Sequence, residues 1–131
     1  MFLDASALTA MLTDETDAAQ LIARMERYPR RMTSPLAVWE TVVAVARKLG
    51  LTTTEAREAV DSYLKLLGVE LVGVPPAAAA IALDAYDRYG KGRHPAALNF
   101  GDCFAYACAR LEGAPLLYKG DDFPRTDMES A

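Results

Sequence analysis

The stretch LNFGDCFAYACA, residues 98–109, is almost wholly apolar and contains one charged side chain, Asp102. Its pattern predicts a helix over residues 100–112, and the short apolar run at 115–118 that follows predicts a strand. The same alternation of helical patterns and short apolar runs extends back to the start of the sequence. This alternation is typical of an α/β fold.

Residues that begin and end helices mark the other elements. Ser34 before Pro35 is a helix start, and Gly50 ends that helix. Thr52 with Glu55 three residues later forms a capping box for the next helix. The predicted helices are at residues 14–28, 35–49, 53–67, 75–89 and 100–112. The predicted strands are at residues 1–4, 31–33, 69–74 and 115–118.

The composition indicates a single domain over residues 1–131. Hydrophobic residues make up 52% of the chain and charged residues 24%, which is ordinary for a folded globular protein. No apolar run approaches the ~20 residues that are needed to span a bilayer. The first residues lack the basic stretch of a secretory signal, so we expect a cytoplasmic protein with no membrane partner.

The two cysteines are expected to be buried core residues. Cys103 and Cys108 lie five residues apart in one predicted helix, which separates them by about 7.5 Å along its axis and does not suit a disulfide. The chain has one histidine, His94, so these side chains do not make up a structural zinc site.

The chain is acidic, with a net charge of −4. By itself this charge disfavours a nucleic-acid partner, because proteins that bind nucleic acids usually present a basic face. It is no obstacle if some of the acids bind Mg²⁺ or Mn²⁺, since a bound cation inverts the local charge and attracts phosphate.

Three carboxylates are isolated in apolar sequence. Asp4, Glu40 and Asp102 are each the only charged side chain over a stretch of more than ten residues. Burying an isolated carboxylate is costly, so each needs a partner: a distant lysine or arginine, a helix N-terminus, or a metal ion. Asp4, Asp102 and the pair Asp121–Asp122 also fall at strand ends or helix starts, which share one edge of a parallel sheet. Oxygen ligands gathered at one edge suit Mg²⁺ or Mn²⁺.

Each acid also has a purely structural explanation. Asp4 and Asp102 are placed to cap, or to lie in the first turn of, the helices beside them. Glu40 fits a partly exposed position on its helix, and Asp121 and Asp122 fit a turn after the last strand. The sequence alone leaves these explanations open beside the metal site.

Four segments of the sequence resemble the PIN-domain family, and within it the VapC-type toxins of bacterial toxin–antitoxin pairs. They are FLDAS at residues 2–6, SPLAVWETVVAVA at 34–46, LNFGDCFAYACA at 98–109 and PLLYKGDDF at 115–123. The resemblance covers nearly the whole chain. It implies a three-layer α/β/α fold with a central, mostly parallel sheet.

The resemblance also implies which acids are catalytic and hold metal. Its first three acids are Asp4, Glu40 and Asp102. Many relatives carry threonine and then aspartate just after the last strand, where this sequence has Tyr118 and Gly120. The fourth acid is therefore expected at Asp122, with Asp121 as the alternative fourth ligand.

Other residues are expected to have supporting roles. Ser6 and Asn99 are expected to orient the carboxylates or a water on the metal, and Ser6 is also placed to cap the helix that follows it. Lys119, beside the acidic turn, and Arg93 and His94, in a glycine-containing loop, are candidates for contact with RNA phosphates, although a solvated loop is the favoured explanation of Arg93 and His94. The expected partners are an RNA substrate, a cognate antitoxin that blocks the site, and a second copy of the chain in a homodimer.

The implied reaction is hydrolysis of RNA phosphodiesters with Mg²⁺, for which Mn²⁺ can substitute. Metal held by Asp4 and Asp102, with support from Glu40 and Asp122, would lower the pKa of a water that attacks the phosphorus. Cleavage through the ribose 2′-hydroxyl usually needs two groups that titrate near neutral pH, and this chain has one histidine. The alternative function is a non-catalytic PIN-like module that binds RNA or protein. A haloacid-dehalogenase-type phosphatase is excluded because Ser6 stands where its second aspartate is required.

Overall fold

The computed structural model describes residues 1–131. The strands are β1 (Phe2–Leu3), β2 (Arg31–Thr33), β3 (Val69–Leu71) and β4 (Leu116–Leu117). The helices are α1 (Ala5–Leu12), α2 (Ala18–Met25), α3 (Pro35–Leu49), α4 (Thr53–Leu66), α5 (Ala78–Tyr89) and α6 (Phe100–Leu111). No helix combines the length and the apolar character that crossing a membrane requires.

The four strands form one parallel sheet in the order β3-β2-β1-β4. Phe2 in the central strand β1 pairs with Met32 on one side and with Leu116 on the other. Helices connect the parallel strands, as such crossovers require. The predicted α/β fold with a parallel sheet is confirmed; β2 has its predicted bounds, and the other three strands are shorter than predicted.

Helices cover both faces of the sheet. Phe2, Met32 and Leu116 point to one face and pack with apolar residues of α5 and α6. Leu3 and Leu117 point to the other face, into a core formed with the first four helices. Neighbouring residues of a strand face opposite ways, so this division follows from the pleat of the sheet. The result is the expected three-layer α/β/α arrangement.

The helix predicted over residues 14–28 is shorter in the structure, where it is α2 over Ala18–Met25. Before it lies α1, which is not among the predicted helices, and a turn in which Asp14 has a φ of 52° separates the two. Thr13, expected at the start of the predicted helix, lies instead at the C-terminal end of α1, where its hydroxyl donates to the carbonyl of Thr9 (2.8 Å). The N-terminal cap of α1 is Asp4.

The predicted starts of α3 and α4 are confirmed. The Ser34 side chain accepts a hydrogen bond from the Ala37 amide at 3.2 Å, and Gly50 ends the helix with a φ of 65°. Thr52 and Glu55 make both hydrogen bonds of the capping box. These contacts matter for function because α3 carries Glu40.

Candidate active site

One cleft of about 550 Å³ opens beside the ends of β1 and β4 and the start of α6. Three of its lining residues are acids predicted from the sequence, and three more are the predicted Ser6, Asn99 and Lys119. The full lining is Asp4, Ala5, Ser6, Thr9, Glu15, Glu40, Ala44, Arg47, Lys48, Asn99, Asp102, Lys119 and Gly120.

Asp4 lies at the floor of the cleft, with 4% of its surface exposed. Its backbone amide donates to the Leu117 carbonyl at 2.9 Å, which ties it to the end of β4. Its Oδ2 accepts from both the amide (2.9 Å) and the hydroxyl (2.5 Å) of Ser6. Burial raises the pKa of Asp4, and the hydrogen bonds from Ser6 oppose that rise. Asp4 therefore caps α1 and also presents a carboxylate that is costly to ionise without a cation.

Asp102 enters the cleft from the first turn of α6. It forms a capping box with Asn99. Asp102 Oδ2 accepts from the backbone N–H of Asn99, and Asn99 Oδ1 accepts from the backbone N–H of Asp102, both at 2.9 Å. Burial raises the pKa of Asp102 to about 7 despite the hydrogen bond from Asn99, and the charges of Asp4, Asp122 and Glu40 add to the rise. Asn99 thus fixes the orientation of Asp102 by a local contact that its sequence spacing already permits.

Glu40 reaches the cleft from α3 and lies against the first turn of α6. A Cβ added at Gly101 would overlap the Glu40 carboxylate, so these two residues are in close contact. Partial burial raises the pKa of Glu40, and the charge of Asp4 raises it further. Gly101 was not predicted as a site residue, although its place beside Asp102 in a helix start was a usable signal.

None of the three acids is neutralised by the protein. No ion pair joins Asp4, Glu40 or Asp102 to a lysine or arginine, and the charge of Asp4 raises the pKa of both Glu40 and Asp102. No three acidic, histidine or cysteine side chains form a group that could hold a metal ion together. An open set of carboxylates suits Mg²⁺ or Mn²⁺, since Mg²⁺ keeps several of its waters and binds through one or two protein carboxylates. The residues present therefore fit a hydrated divalent cation.

The two candidates for the fourth acid differ in their surroundings. Asp121 and Asp122 are both exposed and lie outside the lining of the cleft. Asp122 is close enough for its charge to raise the pKa of Asp102, whereas Asp121 makes no such contribution. Asp122 is therefore the better placed of the two.

The predicted RNA-contacting residues are only partly brought together. Lys119 lines the cleft. Arg93 does not: it pairs with Asp87 at 3.4 Å and stacks on the ring of Tyr86, beside α5. His94 packs edge-on against Tyr89, also away from the cleft. Contacts with α5 thus account for the positions of Arg93 and His94.

Sequence reasoning missed Glu15, Arg47 and Lys48, which also line the cleft. Glu15 forms ion pairs with Lys48 and Lys119, which are 33 and 104 residues away in sequence. Nothing local in the sequence distinguishes Glu15 from an ordinary surface acid. Arg47 was detectable, because it lies two helical turns after Glu40 on the same helix.

The comparisons with known proteins agree on one family. The PIN domain family model matches residues 1–129. Ribonuclease VapC30 of Mycobacterium tuberculosis is 44% identical over 128 residues, covering 98% of this chain and 95% of that protein. Ribonuclease VapC of Mycolicibacterium smegmatis is also 44% identical, covering 98% and 97%. A VapC ribonuclease of Rhizobium meliloti is 40% identical over 139 residues, covering 97% and 98%.

A solved structure has the same fold. VapC20 of Mycobacterium tuberculosis, a toxin that cleaves the sarcin-ricin loop, superposes with a TM-score of 0.76 at 19% identity. The superposition covers 99% of this chain and 97% of VapC20. Since the family model spans almost every residue and the VapC relatives align over nearly their whole length, this chain belongs to the PIN-domain family, in its VapC branch.

Proposed function

We propose that this protein is a VapC-type endoribonuclease that hydrolyses RNA phosphodiesters with Mg²⁺, or with Mn²⁺ in its place. One observation carries the proposal: Asp4, Glu40 and Asp102 arrive from three separate elements in one cleft, and no basic side chain neutralises them. Capping explains the places of Asp4 and Asp102 one at a time, but it does not explain why both meet Glu40 in one cleft. The names of the curated relatives, all VapC ribonucleases, support the same activity.

Asp4 and Asp102 would hold the cation, with Glu40 and Asp122 in support. Ser6 engages Oδ2 of Asp4 and the Asn99 amide engages Oδ2 of Asp102, so each carboxylate is oriented and keeps its Oδ1 for a ligand. When bound, the cation would neutralise charge on the phosphate and lower the pKa of an attacking water. The proposed products end in a 5′-phosphate and a 3′-hydroxyl. His94, the one histidine of the chain, lies outside the cleft and therefore cannot serve there as the acid or base of the 2′-hydroxyl route.

The proposed partners are a cognate antitoxin and a second copy of the chain, acting in the cytoplasm where RNA is found. An arginine of the antitoxin would find unpaired carboxylates in the cleft, which it can bind in a bidentate manner. Self-association is supported by exposed apolar side chains on three helices: Trp39 on α3 (66% exposed), Leu83 on α5 (65%) and Phe100 on α6 (68%). Co-expression with the neighbouring small gene and light scattering of the purified protein test these two partners.

The reaction is tested with a labelled single-stranded RNA in EDTA, Mg²⁺ and Mn²⁺. Cleavage is expected with either metal and none in EDTA, and the products should be degraded by a 5′-phosphate-dependent exonuclease. Full activity in EDTA or cyclic phosphate ends would contradict the mechanism. RNA binding without cleavage in any metal would instead favour the non-catalytic binding module.

A further inference from the structure

The cleft has a basic rim beside its acidic floor. Arg47 and Lys48, in the last turn of α3, and Lys119, just after β4, line the same cleft as Asp4 and Asp102. We call these three cations the basic rim. Arg47 follows Glu40 by seven residues, which places it about 10 Å further along the axis of α3. The rim therefore lies beside the acids in the cleft and does not neutralise their charges.

Glu15 joins the two lysines of the rim. Its Oε1 accepts from the ammonium of Lys48, and its Oε2 accepts from the ammonium of Lys119. The two ammonium groups hold the pKa of Glu15 down at about 2. Glu15 comes from the turn between α1 and α2, so one side chain connects that turn, the end of α3 and the end of β4.

The rim keeps a surplus of positive charge on the side that faces the cleft. Arg47 forms no ion pair with any acid of the chain. Asp17 also pairs with Lys119, at 3.1 Å, but it lines a different depression outside the cleft. The three cations of the rim thus stand against two paired carboxylates, Glu15 and Asp17, and Arg47 is the surplus charge. Each ammonium has three donors, so Lys48 retains donors after binding Glu15.

We propose that the basic rim is a subsite for a backbone phosphate of single-stranded RNA next to the phosphate that is cleaved, and that Glu15 is the positioning residue that fixes its two lysines. This proposal rests on the proposed function for the identity of the ligand. The Glu15 bridge also keeps the ammonium groups away from Asp4 and Asp102, where they would compete with a cation. A net acidic protein thereby obtains a local site of the charge that RNA requires.

The test measures RNA binding apart from cleavage. Fluorescence anisotropy of a labelled single-stranded RNA is recorded over a series of salt concentrations with Asp102→Asn protein, so that the RNA stays intact. Adding Lys48→Gln or Arg47→Gln to this protein should raise Kd for the RNA several-fold. The slope of the logarithm of the association constant against the logarithm of the salt concentration should become less steep by about 0.7 for each phosphate that the protein no longer neutralises. Lys65→Gln removes an equal charge from an exposed position on α4, outside the cleft, and should leave the slope unchanged. Equal effects of all three substitutions would overturn the subsite.

Glu15→Gln tests whether Glu15 acts by positioning the two lysines or only by its negative charge. Removing a negative charge beside bound RNA should by itself tighten binding, but loss of the bridge should weaken it, with KM raised more than kcat is lowered. Glu58→Gln, an exposed acid on α4, is the matched control and should not weaken binding. Glu15→Gln should also have a smaller effect in a Lys48→Gln background, because that background has already lost one of the two contacts of Glu15. Unchanged or tighter binding by Glu15→Gln would overturn the role of Glu15. If that variant does not fold, Lys48→Gln and Arg47→Gln still decide the subsite.

These outcomes are separable from failure of the proposed function. A protein that binds RNA through the rim but cleaves none in any metal refutes the nuclease and keeps the subsite. A protein that cleaves RNA with an affinity independent of Arg47 and Lys48 refutes the subsite and keeps the nuclease.

Discussion

The Glu40 carboxylate packs directly on the Gly101 backbone, so that α3 and the first turn of α6 meet at this contact. A side chain at position 101 would occupy the space that the carboxylate fills. The glycine therefore lets Glu40 and Asp102, which follows it, share one cleft. Since Glu40 is the end of a flexible side chain, a bulkier residue would displace it without breaking the fold.

Gly101→Ala should consequently inactivate the protein while leaving it folded. Alanine in a helix is favoured over glycine by up to about 1 kcal/mol, so stability should be kept or slightly increased. Displacement of Glu40 by an ångström or more should lower kcat by up to about 100-fold. RNA cleavage assays and thermal melts check the two effects. Gly73→Ala, at a position with open space around it, is the control and should retain activity. Full activity of Gly101→Ala would show that the placement of Glu40 is unimportant.

In EDTA, stability should fall as the pH rises toward neutrality. The pKa of Asp102 is raised to about 7 in the fold, so between about pH 4 and pH 7 the folded state binds more protons than the unfolded state. The free energy of unfolding must then decrease with pH over this range and level off above it. Urea unfolding in EDTA at several pH values should show this dependence for the wild type and a smaller one for Asp102→Asn. Identical profiles would contradict a buried, unneutralised Asp102.

Divalent cations should stabilise the fold. Repulsion among Asp4, Glu40 and Asp102 is relieved by a cation that binds only the folded state, and such binding raises Tm by mass action. Millimolar Mg²⁺ or Mn²⁺ should therefore raise Tm, and Asp102→Asn should remove most of the response. Glu58→Gln, outside the cleft, should respond as the wild type does. A Tm that is the same with and without either metal would count against the metal site.

Ser6 should be needed for the position of Asp4. Its hydroxyl donates to Asp4 and accepts from the Lys119 amide at 3.0 Å, so it connects the first acid to the chain after β4. Ser6→Ala removes both contacts and should reduce activity or metal affinity by about tenfold or more. Ser6→Thr retains the hydroxyl and should restore much of the loss. Ser62→Ala on α4 is the control. Loss in both Ser6 variants alike would point to packing around the side chain rather than to its hydrogen bonds.

Asp122→Ala should impair the protein more than Asp121→Ala. Both side chains are exposed neighbours in one turn, but the charge of Asp122 alone contributes to the pKa of Asp102. Removing it should weaken Mn²⁺ binding and RNA cleavage, while Asp121→Ala should leave both near the wild-type level. The pair is its own control, since each variant removes one carboxylate from the same turn. The reverse ranking would assign the fourth acid to Asp121.

Local features of the fold were predictable because they depend on residues close together in sequence. The caps at Ser34 and at Thr52 with Glu55 join atoms three residues apart, and the structure confirms them. The isolation of Asp4, Glu40 and Asp102 in apolar sequence was likewise readable, since apolar surroundings and a lone charge are properties of the sequence itself. Their roles in metal binding remain predictions.

Tertiary structure decided which other side chains join those acids. It ends α1 at Leu12 and leaves Arg93 and His94 beside α5, outside the cleft. It also brings Glu15 to Lys48 and Lys119 across 33 and 104 residues of sequence. Such contacts depend on how the helices pack on the two faces of the sheet. The amino-acid sequence near a surface glutamate does not indicate this packing. The sequence by itself therefore determined the caps of α3 and α4, the α/β class and the lone acids, while packing alone determined the basic rim beside them.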